Sequence, residues 1–140
     1  MTSLESHSSY SHFLFSLLAE CKAVENHTIS VYTISQTIGI TRGSVIFRSG
    51  YTLKVFEQID FANHRILKYM YSVTYQGERV WWYDPMPHPN NPELQSTHPH
   101  HKHIEPDIKH HRIPAPSISF TEPNLPQLIA EIEAVEPEIS

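Results

Sequence analysis

YTLKVFEQID, residues 51–60, alternates with a period of two. Tyr51, Leu53, Val55, Glu57 and Ile59 fall on one face, and Thr52, Lys54, Phe56, Gln58 and Asp60 on the other. That period marks a half-buried β-strand. Glu57 is the exception on the apolar face. A carboxylate on the core side of a strand costs several kcal/mol unless it is paired or stands at the rim of a site. The plain reading shifts the register, or turns Glu57 to solvent near the strand end; the functional reading puts it in a site. Ser49-Gly50 before this strand is a two-residue hairpin turn, and Ser44–Arg48 is a short strand leading into it. After a turn at Phe61–Asn63, Arg65–Tyr75 reads as a second long strand, with Leu67, Tyr69, Tyr71, Val73 and Tyr75 on one face. Such a tyrosine stripe reads first as core with cross-strand pairing, and second as a platform on which bases stack. Gln76-Gly77 is another turn, and Arg79–Asp84 (RVWWYD) is a further strand. The centre of the chain is therefore an antiparallel meander of four to five strands.

Working outward, Thr28–Ser35 is rich in β-branched residues and reads as a strand. Gln36–Gly43, with two Gly, reads as a loop or an irregular strand edge. Residues 1–8 are polar and expected to fray. From 9 to 26, Tyr10, Phe13, Leu14, Leu17, Leu18, Cys21 and Val24 recur at spacings of three and four. That is one face of an amphipathic helix, with Ser8 or Ser9 as its cap. Pro114–Glu122 is extended. Asn124 is expected to cap a closing helix that runs to about Glu136, with Leu125, Leu128, Ile129, Ile132 and Val135 on its apolar side. Pro126 suits its first turn and Pro137 stops it. Glu131, Glu133 and Glu136 give it an acidic outer face. The fold class is α+β, in one domain spanning 1–140: helix 9–26, sheet 28–84, a His-rich loop 84–112 and helix 124–136.

A net charge of -5 with neutral His argues against a generally basic nucleic-acid binder but leaves room for a local basic face. Cys21 is the one cysteine, so an intramolecular disulfide is excluded and a reducing compartment expected. No basic segment precedes the short apolar run Phe13–Leu18, and no apolar stretch reaches membrane-spanning length. A cytoplasmic protein with no membrane contact is the expectation.

The chemistry is concentrated in DPMPHPNNPELQSTHPHHKHIEPDIKHHR, residues 84–112, which holds seven of the eleven His: 88, 98, 100, 101, 103, 110 and 111. Pro85, Pro87, Pro89, Pro92 and Pro99 stiffen it. Proline lacks the backbone donor that a helix or central strand needs, so the stretch reads as a long functional loop. Three readings compete. Imidazole suits Zn, Ni or Cu, and Asp84 and Asp107 stand by, but the spacing matches no zinc signature. No metal ligand is assigned and no cofactor is expected; a transition metal at the loop is the lesser reading. Histidine is also the side chain best suited to exchanging protons near neutral pH. A metal-independent ribonuclease needs a base for the 2′-OH, an acid for the leaving oxygen and a cation for the phosphate. His88, His100, His101, His103, Lys102 and Arg112 can supply these, with Arg48, Lys54, Arg65 and Arg79 holding phosphates and the Tyr and Trp strands stacking bases. Lastly, any one His can simply brace the loop through backbone hydrogen bonds.

Tyr83-Asp84 followed by Pro87-His88, then Pro99-His100-His101-Lys102-His103, a Pro-rich stretch and an acidic closing helix, resembles the TumE-like toxins. These are small prokaryotic proteins encoded beside a DNA-binding antitoxin. Their pattern runs roughly Arg-Tyr-Asp-Asn-Ala-Pro-His-His and, after a short gap, Phe-Pro-His-His-Lys-His. Leu53 to Glu57 and Tyr69-x-Tyr71 fit the usual upstream layout. The similarity covers roughly residues 44–135 and leaves the first 40 unassigned. Pro85 and Met86 replace Asn and Ala, Pro89 the second His of the first motif, His98 a common Phe, and Trp82 a common Arg. The helix–meander–helix order is also compatible with the small RelE-like ribonuclease toxins, by analogy of fold.

The resemblance implies a toxin acting on RNA or translation, with an antitoxin covering the site. Chemistry then suggests the roles. His88, His100, His101, His103, Asp84 and Glu57 are the catalytic candidates, Asp84 orienting a His. Lys102, Arg112, Arg48, Tyr69 and Tyr71 are the candidates for binding RNA. A homodimer is a further expectation. The contrasting reading is a non-catalytic binding module whose His-rich loop takes a metal; the changes at Pro85, Met86 and Pro89 favour it.

Overall fold

The computed structural model describes residues Ser3–Val135. Helix α1 (His7–Glu20) is followed by β1 (Val24–His27), β2 (Ser30–Thr33), β3 (Ile38–Phe47), β4 (Tyr51–Asp60), β5 (Arg65–Tyr75), β6 (Glu78–Asp84), β7 (His101–Ile104) and β8 (Arg112–Pro114). Helix α2 (Leu125–Val135) closes the order. The strands form one antiparallel sheet in the order β1-β3-β4-β5-β6-β7-β8, with β2 also paired to β3. The α+β class holds, with eight strands in place of four or five. No described helix is long and apolar enough to cross a membrane.

β4 has the bounds that its alternation required. Val45 and Phe47, Leu53, Val55, Glu57 and Ile59, Tyr69, Tyr71 and Val73, and Tyr83 come from successive strands onto one face. Tyr10, Leu14 and Leu18 of α1 and Leu125, Leu128, Ile129 and Ile132 of α2 pack with these residues in one core. The tyrosine stripe is therefore core: Tyr71 is fully buried and Tyr69 nearly so. The opposite face carries Arg42, Lys54, Lys68, Met70 and Arg79, all exposed, with Phe56 and Trp82 between them.

Several boundaries differ from the sequence reading. Leu4 is buried, so from Ser3 onward the segment expected to fray is tied down. The cap of α1 is Ser6, whose Oγ accepts from the Ser9 N–H. The helix stops at Glu20, and Val24 enters β1 instead of extending the helical stripe. Of what read as one strand at 28–35 only Ser30–Thr33 is strand, as β2, with β1 lying before it, and residues 38–43 of the two-Gly loop belong to the ten-residue β3. The glycines are there because neighbours come close, not because the strand breaks. A Cβ at Gly43 would sit 2.5 Å from the Thr28 carbonyl oxygen, and its φ of +145° disfavours other residues. Gly43→Ala is expected to lower stability by about 1–3 kcal/mol, read as a drop in the chemical-denaturation midpoint.

In β5 the register shifts between Gln58 and Ile59, so Ile66 faces Ile59. Ile66 takes the core place expected of Leu67, which is 41% exposed. In α2, Asn124 provides the backbone carbonyl for Leu128 N–H. Its side chain instead accepts from Ser119 N–H and donates to the Tyr71 hydroxyl. Glu131 is not on an outer acidic face but is half-buried against Tyr83 and Lys102, and Val135 is exposed. Glu136 and Pro137 lie outside the described residues.

The largest correction concerns residues 84–112, which are not a continuous loop. A 3-10 helix spans Pro92–Thr97, β7 spans His101–Ile104, and β8 begins at Arg112. The prolines cluster before His100. The tetrapeptide His101–Ile104 has all its backbone donors, and it pairs with β6. Pro114 ends β8 at the sheet edge, where no donor is needed.

Candidate functional site

Asp84 ends β6 directly opposite His101 of β7, and Trp82 stands opposite His103. Arg112 of β8 stands opposite His103 on the other side. Paired residues in an antiparallel ladder share a face, so Trp82, Asp84, His101, His103 and Arg112 assemble on the helix-free side of the sheet.

The Asp84 carboxylate contacts both imidazoles. Oδ1 is 3.1 Å from His101 Nε2, Oδ2 is 3.2 Å from His103 Nε2, and the two Nε2 atoms are 3.1 Å apart. The far nitrogens are held by backbone carbonyls: His101 Nδ1 lies 3.2 Å from Pro99 O and His103 Nδ1 3.0 Å from Ile108 O. A carbonyl only accepts, so both Nδ1 atoms carry hydrogen and both Nε2 atoms point at Asp84. The carboxylate is itself fixed, with Met86 N–H donating to Oδ1 and Trp82 Nε1–H to Oδ2. The Trp82 ring stacks on His103 at 4.0 Å between centroids, and the Arg79 guanidinium lies 4.3 Å from a Trp82 ring centroid.

His101 and His103 are buried, and Asp84 keeps 16% of its side chain exposed. His88 stands half-buried beside them, its ring edge-on to His101 with centroids 4.8 Å apart. Burial would push the Asp84 carboxyl up, but His101, Met86 and Trp82 hold it well below the usual carboxylate range. Burial holds His103 and His88 below the ordinary imidazole range, with the Arg112 charge adding in both cases. The buried Nε of Arg112 has no hydrogen-bond acceptor among the described residues. Sheet register sets this donor opposite His103, and a buried donor without a partner is uncommon in a folded protein.

A family description, Toxin TumE, matches residues 14–136. The chain belongs to the TumE toxin family. The match takes in the second half of α1 and β1 to β3 as well as the His segment, so the family likeness begins well before residue 44. It identifies the chain as the toxin component of a toxin–antitoxin pair, which implies an antitoxin partner. Neither a curated protein nor a solved structure matches it.

Within this TumE toxin the other candidates lie apart from the Asp84 cluster. His100 faces the core side, where its Nδ1 meets the Tyr69 hydroxyl at 2.6 Å and its ring packs on Phe120; burial holds it below the ordinary imidazole range, as does the charge of His101. Glu57 is fully buried beneath α1, where it accepts from the Tyr10 and Tyr71 hydroxyls. It is neither at a strand end nor in a slipped register. Tyr69 and Tyr71, sealed in the core, have no ring face for a base. Lys102 points to the helix side and pairs with Glu131 at 2.8 Å, while the Tyr83 hydroxyl donates to the same carboxylate. Arg48 sits at the β3–β4 turn, its Nε donating to Lys22 O.

Trp82 went unassigned in the sequence reading. The signal was present: positions 82 and 84 share a face in any strand through RVWWYD, so an aspartate placed at a site brings Trp82 with it. The carbonyls of Pro99 and Ile108 carry no sequence signal, because backbone atoms do not depend on residue type.

Proposed function

We propose that this TumE toxin binds single-stranded RNA along the open sheet face and breaks its backbone beside His88. The observation that carries the reading is Arg112 Nε, buried without an acceptor among the described residues on the strand position opposite His103. A phosphate oxygen that reaches the half-buried Arg112 guanidinium from the open face would supply the acceptor. Arg42, Lys54, Lys68 and Arg79 on the same face give a chain of net charge -5 a local basic surface, and the half-buried Phe56 lies among them. Cations that follow a backbone and aromatic faces that stack bases are the usual means of holding single strands.

His88 is the one accessible imidazole that touches the cluster, so it takes the role of proton carrier. It accepts the 2′-OH proton as that oxygen attacks phosphorus. The bond to the 5′-oxygen breaks, and that oxygen leaves with a proton from a second donor or from water. The products are a 2′,3′-cyclic phosphate and a 5′-hydroxyl. Asp84, His101 and His103 act as positioning residues that fix the ring of His88. Lys102, Arg48 and Tyr71 have no part in this scheme.

The test is binding and cleavage of a labelled single-stranded RNA by the purified full chain. Lys54→Glu with Lys68→Glu is expected to weaken binding at least about 10-fold at low salt, and to flatten its salt dependence by roughly two phosphate contacts. Unchanged affinity and slope would remove the open face from the proposal. An intact RNA after incubation with active toxin would refute the cleavage step.

A further inference from the structure

We propose that His101, His103 and Asp84 bind one divalent transition-metal ion, of the zinc class. The inference concerns the cluster just described but does not depend on RNA being the substrate.

The argument is a count of protons. Both Nδ1 atoms donate to backbone carbonyls, so in the neutral rings both Nε2 atoms are lone pairs. They face each other and a carboxylate at 3.1, 3.1 and 3.2 Å. With no added proton, all three of those contacts are acceptor against acceptor. One proton serves the edge on which it sits and leaves the opposite Nε2 unserved. Two protons place two buried cations with their N–H groups opposed 3.1 Å apart. Burial, which disfavours the charged imidazole, acts against that last state. A single cation among them satisfies both nitrogens and the carboxylate together.

The dimensions agree. Ligand atoms about 2.0–2.2 Å from one ion are separated from each other by roughly 2.8–3.6 Å at tetrahedral or octahedral angles. The Nε2–Nε2 separation and the contact of each Nε2 with its own carboxylate oxygen fall in that range, as for a carboxylate that offers both oxygens to the ion. These are also the described His, Asp, Glu and Cys ligand atoms that come within 4.8 Å of one another as a group of three. The surroundings are those of a ligand set. Each His has its second nitrogen bonded to a carbonyl, which fixes tautomer and ring plane, and each carboxylate oxygen receives a donor from behind, Met86 N–H or Trp82 Nε1–H. Two imidazoles with one carboxylate suit zinc, with Co2+ and Ni2+ as close competitors. His88, edge-on to His101, borders the remaining positions. Those are left to water or to a substrate oxygen.

The binding is measured on the full chain made without an affinity polyhistidine tag. Zn2+ is added in excess and free ion removed by gel filtration; bound metal is then measured by elemental analysis. About one ion per chain is expected, falling to near zero in His101→Ala and in Asp84→Asn, and unaltered in the double variant His110→Ala/His111→Ala, whose rings lie on the surface. Because the first two changes strike buried groups, the unmodified chain supplies a second readout. Its Co2+ complex should show ligand-field absorption, and nitrogen-detected NMR of the His rings should show two Nε2-bound, Nδ1-protonated imidazoles. No bound metal in the unmodified chain would overturn the proposal. So would metal that persists in folded His101→Ala and vanishes in His110→Ala/His111→Ala. None of these measurements uses RNA, so metal binding and RNA cleavage fail or succeed separately.

Discussion

His88→Ala is expected to lower RNA cleavage by about 10²–10⁴-fold, the range that a positioned proton carrier contributes, while RNA affinity stays within a few-fold. The side chain is half-buried and its contact with His101 is edge-on, so its loss removes little packing and the thermal midpoint should barely move. In a growth assay the variant toxin should no longer arrest cells. Arg112→Ala separates a second role. Its free Nε is assigned to the phosphate, and a charge-assisted hydrogen bond is worth about 1.5–3 kcal/mol. Both affinity and rate should therefore fall, by roughly 10–100-fold. Arg112→Lys should recover little of this, because an ammonium does not reproduce the guanidinium's fixed donors. Toxicity that survives His88→Ala unchanged would take His88 out of the mechanism.

The second large effect concerns stability and lies on the other side of the sheet. Tyr71→Phe removes one hydroxyl that donates to Glu57 and accepts from Asn124 Nδ2. Two buried groups then lose a partner, each costing about 1–3 kcal/mol. That is a large share of the roughly 5–15 kcal/mol that holds a domain folded. Glu57→Gln in the same background should return part of the loss, because a neutral amide is less costly to strand than a carboxylate. A double-mutant cycle by urea denaturation measures that coupling, expected at about 0.5–3 kcal/mol. An additive cycle would refute the shared network.

Glu57 also gives the fold a pH dependence with a definite sign. Burial raises its carboxyl above the ordinary value of 4.5, and the bonds from Tyr10 and Tyr71 oppose that rise without cancelling it. A raised native value means that the folded state binds the proton more tightly than the unfolded chain. Its contribution is complete below the unfolded value and is lost as pH rises through the native one. Stability from this group should decline from about pH 4.5 upward, by about 1.4 kcal/mol for each unit of the rise. Glu57→Gln should remove that component from the stability–pH curve.

Period-two alternation was enough to place β4 residue for residue, because a strand with one buried face must repeat every second side chain. The spacing of three and four located both helices, and the turn pairs Ser49-Gly50 and Gln76-Gly77 located the hairpins. Local pattern also marked residues 84–112 as the chemical segment and, through the Pro-His-His-Lys-His string, the family. Three things were decided only when the chain closed on itself. Glu57 is core because Tyr10, distant in sequence, and Tyr71 on the neighbouring strand bring hydroxyls to it, and a partner from elsewhere in the chain leaves no trace in strand periodicity. The β7 strand forms because β6 offers an edge to four residues that have no proline; alone, His101–Ile104 is too short to declare itself. The choice among seven histidines was made by sheet register, which sets His101 and His103 against Asp84 on one face and sends His100 to Tyr69 on the other. A sequence states which groups are available, but which nitrogen meets which oxygen depends on strand pairing, a long-range contact that no local residue pattern encodes.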